Sequence, residues 1–535
     1  VHTIPRSPWD TGPERGARAR GPRRAAAVLA AALALAVGAP VPPAAADPAG
    51  PAEPTAGAAT AAEIDRFAAA YVADTGLPGA TLAVVRDGEV VHTGGYGHDS
   101  AGAPLRADTP MRTASLSKSF TALAVLQLVE AGRVDLEAPV RDHLPEFAPD
   151  DPRADRITVR QLLDQSSGMA DTAYPEATAP QPRSLEEAVA AIGGYPLAGA
   201  PGERWRYHNP NYHVAARLVE AVSGEPFADY LDRHVFGPAG MADTTSLTSA
   251  DDPVPGLERG YVRAYGADVP LPEPHQFSAG SGGVVSTAAD LARWLLVHTG
   301  DGRAPGGARL VTADSVAEMH TPSAPNGSYG LGWMEDVPEE GDPMPTLVWH
   351  GGVQSTATAY QVLVPETGVG VAALFNSGMT LTENDTWNLV EGVIALTEGR
   401  TPPEGGSTLW RVDAVFGVLT AAAAALGVRG VVRAPLWARR RAGRPVWRAV
   451  VRLLPGLVPA ALLAAFPSAA SFLMGGRVGS WAQRFYAIPA ELVFLWLAAA
   501  AGVAVVAVRT AHLVRARRGS GAGRRGTRAA GERTA

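Results

Sequence analysis

The chain contains a single lysine, Lys118; every other basic residue among its 46 lysines and arginines is arginine. That lysine stands in Ser115-Leu116-Ser117-Lys118. Apolar residues at Phe120, Leu123, Leu126 and Val129 recur at helical spacing, and Gly132 follows them. The spacing predicts a helix over 116–131 with Ser115 at its start. Positions three apart share a helix face, so the Lys118 amine can reach the Ser115 hydroxyl. The chemistry this permits is nucleophilic. A serine hydroxyl is a weak nucleophile and needs a neighbouring base. A desolvated amine can lose its proton and act as one, whereas a guanidinium effectively cannot. A helix N-terminus also favours negative charge developing nearby. Taken alone, a Ser-x-x-Lys arrangement is common by chance and reads as a helix cap, Ser115, with a surface charge, Lys118.

Two further elements bear on that choice. Tyr207-His208-Asn209 lies about 90 residues on. A tyrosine oxygen, with a reference pKa near ~10, is a base only where a cation stabilises the phenolate, and Lys118 would be that cation. Asn209 would hydrogen-bond the lysine and a substrate carbonyl. On its own the tripeptide also reads as a loop tyrosine with a helix cap. The third element is His350-Gly351-Gly352, at the end of a strand predicted over 346–350. Consecutive glycines let a substrate backbone approach closely, and the next amide can donate to an oxyanion. Alone it also reads as a strand-terminating turn.

The elements that must position these groups are legible in outline. A helix is expected over 63–73. Strands over 80–86 and 89–93 flank Asp87-Gly88, a strong hairpin signal. Helical patterns follow over 158–165, 185–192, 210–222 and 287–298. Strands return over 346–349, 359–364 and 368–375, and a helix is expected over 384–397. Strands at both ends with helices between imply an α/β (α+β) fold: one antiparallel sheet closed by distant segments, with a helical lobe.

The three elements, in this order and spacing, resemble the serine β-lactamase and penicillin-binding protein superfamily, in its class C β-lactamase-related branch. Neighbouring stretches carry the same resemblance: Met111-Arg112-Thr113-Ala114, Gln161 to Met169, Glu220 to Gly224, Gly237 to Met241, Ser278-Ala279-Gly280 through Ser286 to Leu291, and Tyr329 to Trp333. The resemblance covers roughly residues 62–400. It implies a β-lactamase/transpeptidase-like fold and a serine hydrolase. Ser115 would be the acylated nucleophile and Lys118 its partner. Tyr207 would be a base or proton shuttle, leaving open which of the two removes the proton. Asn209, His350, Gly351 and Gly352 would bind substrate, and the amides of Ser115 and Val353 would form the oxyanion hole. The sequence also departs from the family. His350 stands where many β-lactamases have lysine, Gly351 where a hydroxyl residue is frequent, and Val353-Gln354-Ser355-Thr356 lacks the Pro-Gly often found there. These departures count against efficient antibiotic hydrolysis and suit D-amino-acid peptidases and esterases of the same branch.

Composition sets the surroundings. The 535 residues include no cysteine, which excludes disulfides and thiol chemistry. The net charge of -7 hides a split: residues 47–408 carry 21 Lys+Arg against 48 Asp+Glu, and the rest carry 25 against 5. An acidic body with basic ends argues against nucleic-acid binding. The histidines lack metal-ligand spacing, so no metal and no cofactor are expected. Residues 1–46 read as a signal peptide: arginines at 15–24, an apolar run over 25–37, then Ala44-Ala45-Ala46. A linker over 47–61 precedes the hydrolase body, 62–400, and a second over 401–409 follows it. Three apolar stretches, about 410–428, 453–474 and 488–508, are each near the ~20 residues a bilayer span needs. Segments 429–452 and 509–535 carry eight arginines each, against only Arg477 and Arg484 in 475–486. The positive-inside rule makes the last segment a basic cytoplasmic tail and puts the body outside the membrane, the side a signal peptide also demands. Expected partners are a small-molecule or peptide substrate and the lipid bilayer; no protein partner is identifiable. The leading expectation is a membrane-anchored extracytoplasmic serine hydrolase acting on an amide or ester, whether a peptidoglycan-like peptide, a β-lactam or a small ester. The alternative is a penicillin-binding or ligand-sensing module with little turnover.

Overall fold

The computed structural model describes residues 59–338, 344–378, 385–403, 407 and 409–531. The expected signal peptide lies outside them, as does most of the linker over 47–61. The first helix, α1 (Ala61–Thr75), is fixed at its start by a capping box: Thr60 and Glu63 exchange side-chain to backbone hydrogen bonds. Strands β1 (Gly79–Arg86) and β2 (Glu89–Gly97) pair antiparallel across Asp87 and Gly88. Both turn residues have positive φ, 52° and 78°, as a tight hairpin turn requires.

The body is organised around a six-stranded antiparallel sheet in the order β2-β1-β11-β10-β9-β8. Its other strands are β8 (Met334–Asp336), β9 (Leu347–Val353), β10 (Thr358–Val364) and β11 (Val369–Phe375). Every residue of β10 and β11 is buried, because both faces of the sheet are covered. One face packs under α1 and a helix from the far end of the body, Asp385–Thr397. The other carries the larger core of the helical lobe. That lobe contains α2 (Ser117–Glu130), α3 (Val159–Leu163), α4 (Leu185–Ile192), α5 (Pro210–Ser223) and α6 (Ala288–Thr299); the helix Asp385–Thr397 is α7.

The expected fold class and the main helices and strands are present. Two features differ from the sequence expectation. The strand predicted to stop at residue 350 runs on to Val353, so Gly351 and Gly352 lie inside β9, paired with Tyr360 and Ala359 of β10. Glycine pairs read as a break, but here backbone pairing holds them extended. The chain also forms short strands that the pattern did not signal. They include β3 (Met111–Arg112), β4 (Thr245–Ser246) and β7 (Val284–Ser286) in one small sheet, and the hairpin β5 (Gly260–Ala264) with β6 (Ala267–Leu271).

Beyond the body, three helices are long and apolar enough to cross a membrane: Leu409–Val432, Val446–Leu473 and Pro489–Arg518. The first is α8 (Leu409–Val432), the second ends in α9 (Val458–Leu473), and the third lies within α10 (Pro489–Gly531). They are longer than the sequence pattern gave, since the flanking arginines continue the helices. Large apolar side chains such as Val418, Leu426 and Phe472 are strongly exposed on them, as a lipid-facing surface would be. Where α8 meets α10 the backbones are close: a Cβ at Gly427 would lie 2.7 Å from the Ala501 methyl.

Candidate active site

Ser115 sits in a short 3-10 turn, Ala114–Leu116, that feeds directly into α2. The turn is pinned to β7. Thr113 donates its backbone N–H to the Val284 carbonyl at 3.0 Å, and Val284 donates its own N–H to Ser117 Oγ at 2.9 Å. Ala114 has a φ of +48°, a left-handed conformation that costs a non-glycine residue of the order of ~1 kcal/mol. The strain lies immediately before Ser115, where it sets the direction of that residue at the mouth of the helix.

Lys118 is on the next turn and is fully buried. Its Nζ donates to Ser115 Oγ at 3.2 Å, to Asn209 Oδ1 at 2.9 Å and to the Ser281 carbonyl at 2.7 Å. Burial drives its pKa well below the usual lysine value; the charge of Arg477 acts the same way and that of Glu176 opposes it. Asn209, immediately before α5, is oriented by Glu176, which accepts its Nδ2–H at 2.6 Å and so turns Oδ1 to the lysine. Burial and the charge of Asp171 raise the Glu176 pKa.

Tyr207 lies against the same lysine, with Lys118 Nζ 4.7 Å from its ring centroid. Burial raises the Tyr207 pKa. A hydrogen bond with Ser115 and the charge of Arg477 pull it down, and Glu176 pushes it up. The sequence reading expected Lys118 to be the cation that favours the phenolate. Arg477 acts in that sense, its guanidinium 5.1 Å from the ring centroid.

His350 closes the site from β9. It is buried and its pKa falls to about 3, first through burial and then through Lys118. Its Nδ1 is 2.7 Å from the Gly351 carbonyl and its Nε2 is 3.0 Å from Tyr329 Oη. The neutral ring therefore donates to the carbonyl and accepts from the phenol, and supplies no positive charge. β8 pairs only with Leu347 to Trp349, which leaves the 350–353 edge of β9 open to the turn carrying Ser115. A Cβ at Gly352 would lie 2.4 Å from the Thr113 carbonyl oxygen, so glycine is required for the strand to approach that turn.

The fold thus brings together Ser115, Lys118, Tyr207, Asn209, His350, Gly351 and Gly352, from three separate stretches of chain. Val353 follows on the same strand edge. Sequence reasoning missed Glu176, Asp171, Ser281 and Arg477. Asp171 is buried and 2.9 Å from His208 Nδ1. Burial acts to raise its pKa, but the His208 hydrogen bond and the charges of Arg477 and His208 hold the carboxyl below its ordinary range. Asp171 and Glu176 lie in an irregular segment with no periodic signal. Arg477 had one: it is one of two arginines in a short stretch, 475–486, flanked by arginine-rich segments. Among the described residues no group of three or more His, Asp or Glu side chains is arranged to hold a metal ion.

Comparison with known proteins bears on the family and the fold. The beta-lactamase family model matches residues 64–394. Penicillin-binding protein 4 of Amycolatopsis lactamdurans is 31% identical over 325 residues, 57% of this chain and 82% of that protein. Protein flp of Staphylococcus aureus strain MW2 is 27% identical over 310 residues, 56% of this chain; the match spans only 60% of that relative's length. Among solved structures, the octameric penicillin-binding protein homologue from Pyrococcus abyssi superimposes with a TM-score of 0.53 at 26% identity, over 66% of this chain and 80% of that one. The D-amino acid amidase from Ochrobactrum anthropi SV3 gives 0.51 at 26% identity, over 63% and 98%. With a family match that covers most of its length, this chain belongs to the beta-lactamase family of serine hydrolases.

Proposed function

We propose that the chain is a membrane-anchored, extracytoplasmic serine hydrolase that works through an acyl-enzyme on Ser115. The observation that carries this reading is the fully buried Lys118 amine, held between Ser115, Asn209 and the Ser281 carbonyl. A neutral amine has two N–H donors and one lone pair. Once the amine gives up the proton it shares with Ser115, Asn209 and Ser281 each still accept one N–H and the lone pair faces the Ser115 hydroxyl. Ser115 Oγ attacks the substrate carbonyl carbon as its proton passes to Lys118. The tetrahedral oxyanion is bound by the amides of Ser115 and Val353. Tyr207, hydrogen-bonded with Ser115, donates its phenolic proton to the departing amine or alcohol and is reprotonated from the Lys118 ammonium, which returns both groups to their starting states. Water then attacks the acyl-enzyme and restores Ser115. Asn209 and the His350-Gly351-Gly352 strand hold the substrate.

Substrates with a D-amino-acid amide or ester fit this reading best. The D-amino acid amidase likeness supports that class, and the neutral His350 removes a fixed cation from the strand that would face a β-lactam carboxylate. The test is intact mass of the full-length chain in detergent after a fluorophosphonate serine probe, beside Ser115→Ala. A probe-sized gain in wild type alone is expected. No gain in folded wild type refutes the reading, and an acyl-enzyme that forms but does not turn over points to a ligand-sensing module. Sidedness has its own test, because the chain has no cysteine. In intact cells an impermeant maleimide should label Gly479→Cys and spare Ala442→Cys; the reverse pattern places the body in the cytoplasm.

A further inference from the structure

The loop joining the second and third membrane-crossing helices reaches the catalytic cleft. Arg477 lies in it, a few residues beyond the end of α9. Its Nε is 3.4 Å from Asp171 Oδ2, and the next residue, Val478, donates its backbone N–H to the same oxygen at 3.3 Å. The Arg477 guanidinium then stacks on Tyr207, 5.1 Å from the ring centroid. Asp171 also holds His208, the neighbour of Tyr207 in sequence, so one carboxylate ties the loop to the Tyr207-His208-Asn209 segment. The contact is not isolated. Gln483 Nε2 donates to Gln276 Oε1 at 2.9 Å and Tyr486 Oη to the Pro272 carbonyl at 3.0 Å. The β5–β6 hairpin rests on the helices themselves: Tyr265 Oη donates to the Ala490 carbonyl, and Gly266 N–H to Asp413 Oδ2.

We propose that this loop is a wall of the active site, and that Arg477 is a positioning residue which fixes Tyr207 and the Asp171–His208 pair for acylation of Ser115. The proposal rests on the reading of Ser115 as nucleophile. It makes the membrane segment a contributor to catalysis as well as an anchor. An arginine suits the place, because a planar guanidinium stacks on an aromatic ring and bonds a carboxylate at once. Among the described residues, the other titratable groups around Lys118 and Tyr207 are Glu176, Asp171, His208, His213, His350, Tyr329 and Tyr212, whose ring centroid is 5.5 Å from Lys118 Nζ. Glu176 opposes Arg477 at both groups, and His213 and His350 are buried neutral. The Arg477 charge favours both a neutral Lys118 and an ionised Tyr207. Loss of Arg477 raises the pKa of Lys118, the base, and that of Tyr207 with it, and moves the onset of reactivity to higher pH.

The experiment uses full-length chain in detergent micelles. The rate of Ser115 labelling by a fluorophosphonate is followed from pH 5 to 10 for wild type, Arg477→Gln and Arg477→Lys, with Ser115→Ala as blank and thermal unfolding as the folding check. The onset should rise by roughly half a pH unit or more in Arg477→Gln and return most of the way in Arg477→Lys. Labelling of Arg477→Gln with the wild-type pH profile overturns the proposal while leaving the hydrolase reading intact. Absence of labelling in folded wild type at every pH overturns both. If Arg477→Gln fails to fold, Arg477→Lys decides: a cation kept in place should keep the onset, and a shifted onset overturns the proposal.

Discussion

Replacing Lys118 with methionine isolates the amine from the shape of the side chain. The site is fully buried, and methionine is close to lysine in length and flexibility. The change removes the only group within 3.2 Å of Ser115 Oγ that can accept its proton as an amine. General-base assistance is worth roughly 10²–10⁴ in rate, so the acylation barrier should rise by about 2.7–5.5 kcal/mol. Stability should move much less. Methionine leaves the Asn209 Oδ1 and Ser281 carbonyl acceptors without the lysine, at roughly 1–3 kcal/mol each. It also relieves the desolvation of the amine, which the depressed Lys118 pKa shows to be substantial. The two partly cancel. The assay is fluorophosphonate labelling of full-length Lys118→Met by intact mass, with a denaturant melt beside it. Labelling within about threefold of wild type, in a protein that melts cooperatively, would refute the role of the amine as base. Lys118→Arg separates charge from basicity: the cation stays and should not rescue the rate, because a guanidinium does not lose its proton.

Three further outcomes follow from packing and charge. Gly352→Ala should slow acylation and cost about 1–3 kcal/mol, since its Cβ would meet the Thr113 carbonyl at 2.4 Å; Gly351→Ala meets only side chains at 3.4 Å or more and should be milder. Equal labelling rates and melts for the two would refute the close approach of β9 to the serine turn. Glu176→Gln should keep near wild-type labelling, because the buried carboxyl has a raised pKa and glutamine can still accept from Asn209, whereas Glu176→Ala frees the amide and should slow it; equal rates for the pair would remove Glu176 from the site. His298 and His320 face each other at 3.0 Å, both with pKa values lowered by burial, His320 to about 4. The unfolded chain binds their protons near pH 6.5 and the folded chain does not, so they cost stability as pH falls from about 6.5 towards 4, at about 1.4 kcal/mol per pH unit each. His320→Gln should flatten that dependence in denaturant melts, and an unchanged slope would refute it.

Much of the fold was legible because local rules and tertiary demands agree. Asp87-Gly88 supplies the two positive φ angles of its hairpin, and the buried strands β10 and β11 read as strands from their β-branched and apolar runs. Local rules failed at Gly351-Gly352, where propensity says break and pairing with β10 keeps the strand extended. Asp413, in the first turns of the apolar helix α8, is buried and accepts the Gly266 N–H, a contact with the β5–β6 hairpin that no local pattern signals.

For the site, sequence by itself determined which chemistry was available. One lysine three residues after a serine at a helix start sets an amine beside a hydroxyl, because the helix repeat fixes that distance without help from the rest of the chain. Only the tertiary structure decided what surrounds the pair. Glu176 and Asp171 come from an irregular segment, Ser281 from the loop before β7, and Arg477 from between two of the long apolar C-terminal helices, 306 positions from Asp171. Burial and the field of distant charges depend on which segments fold over the site, and no local spacing encodes that. The sequence therefore named the lysine, and the fold drives its pKa down by burial.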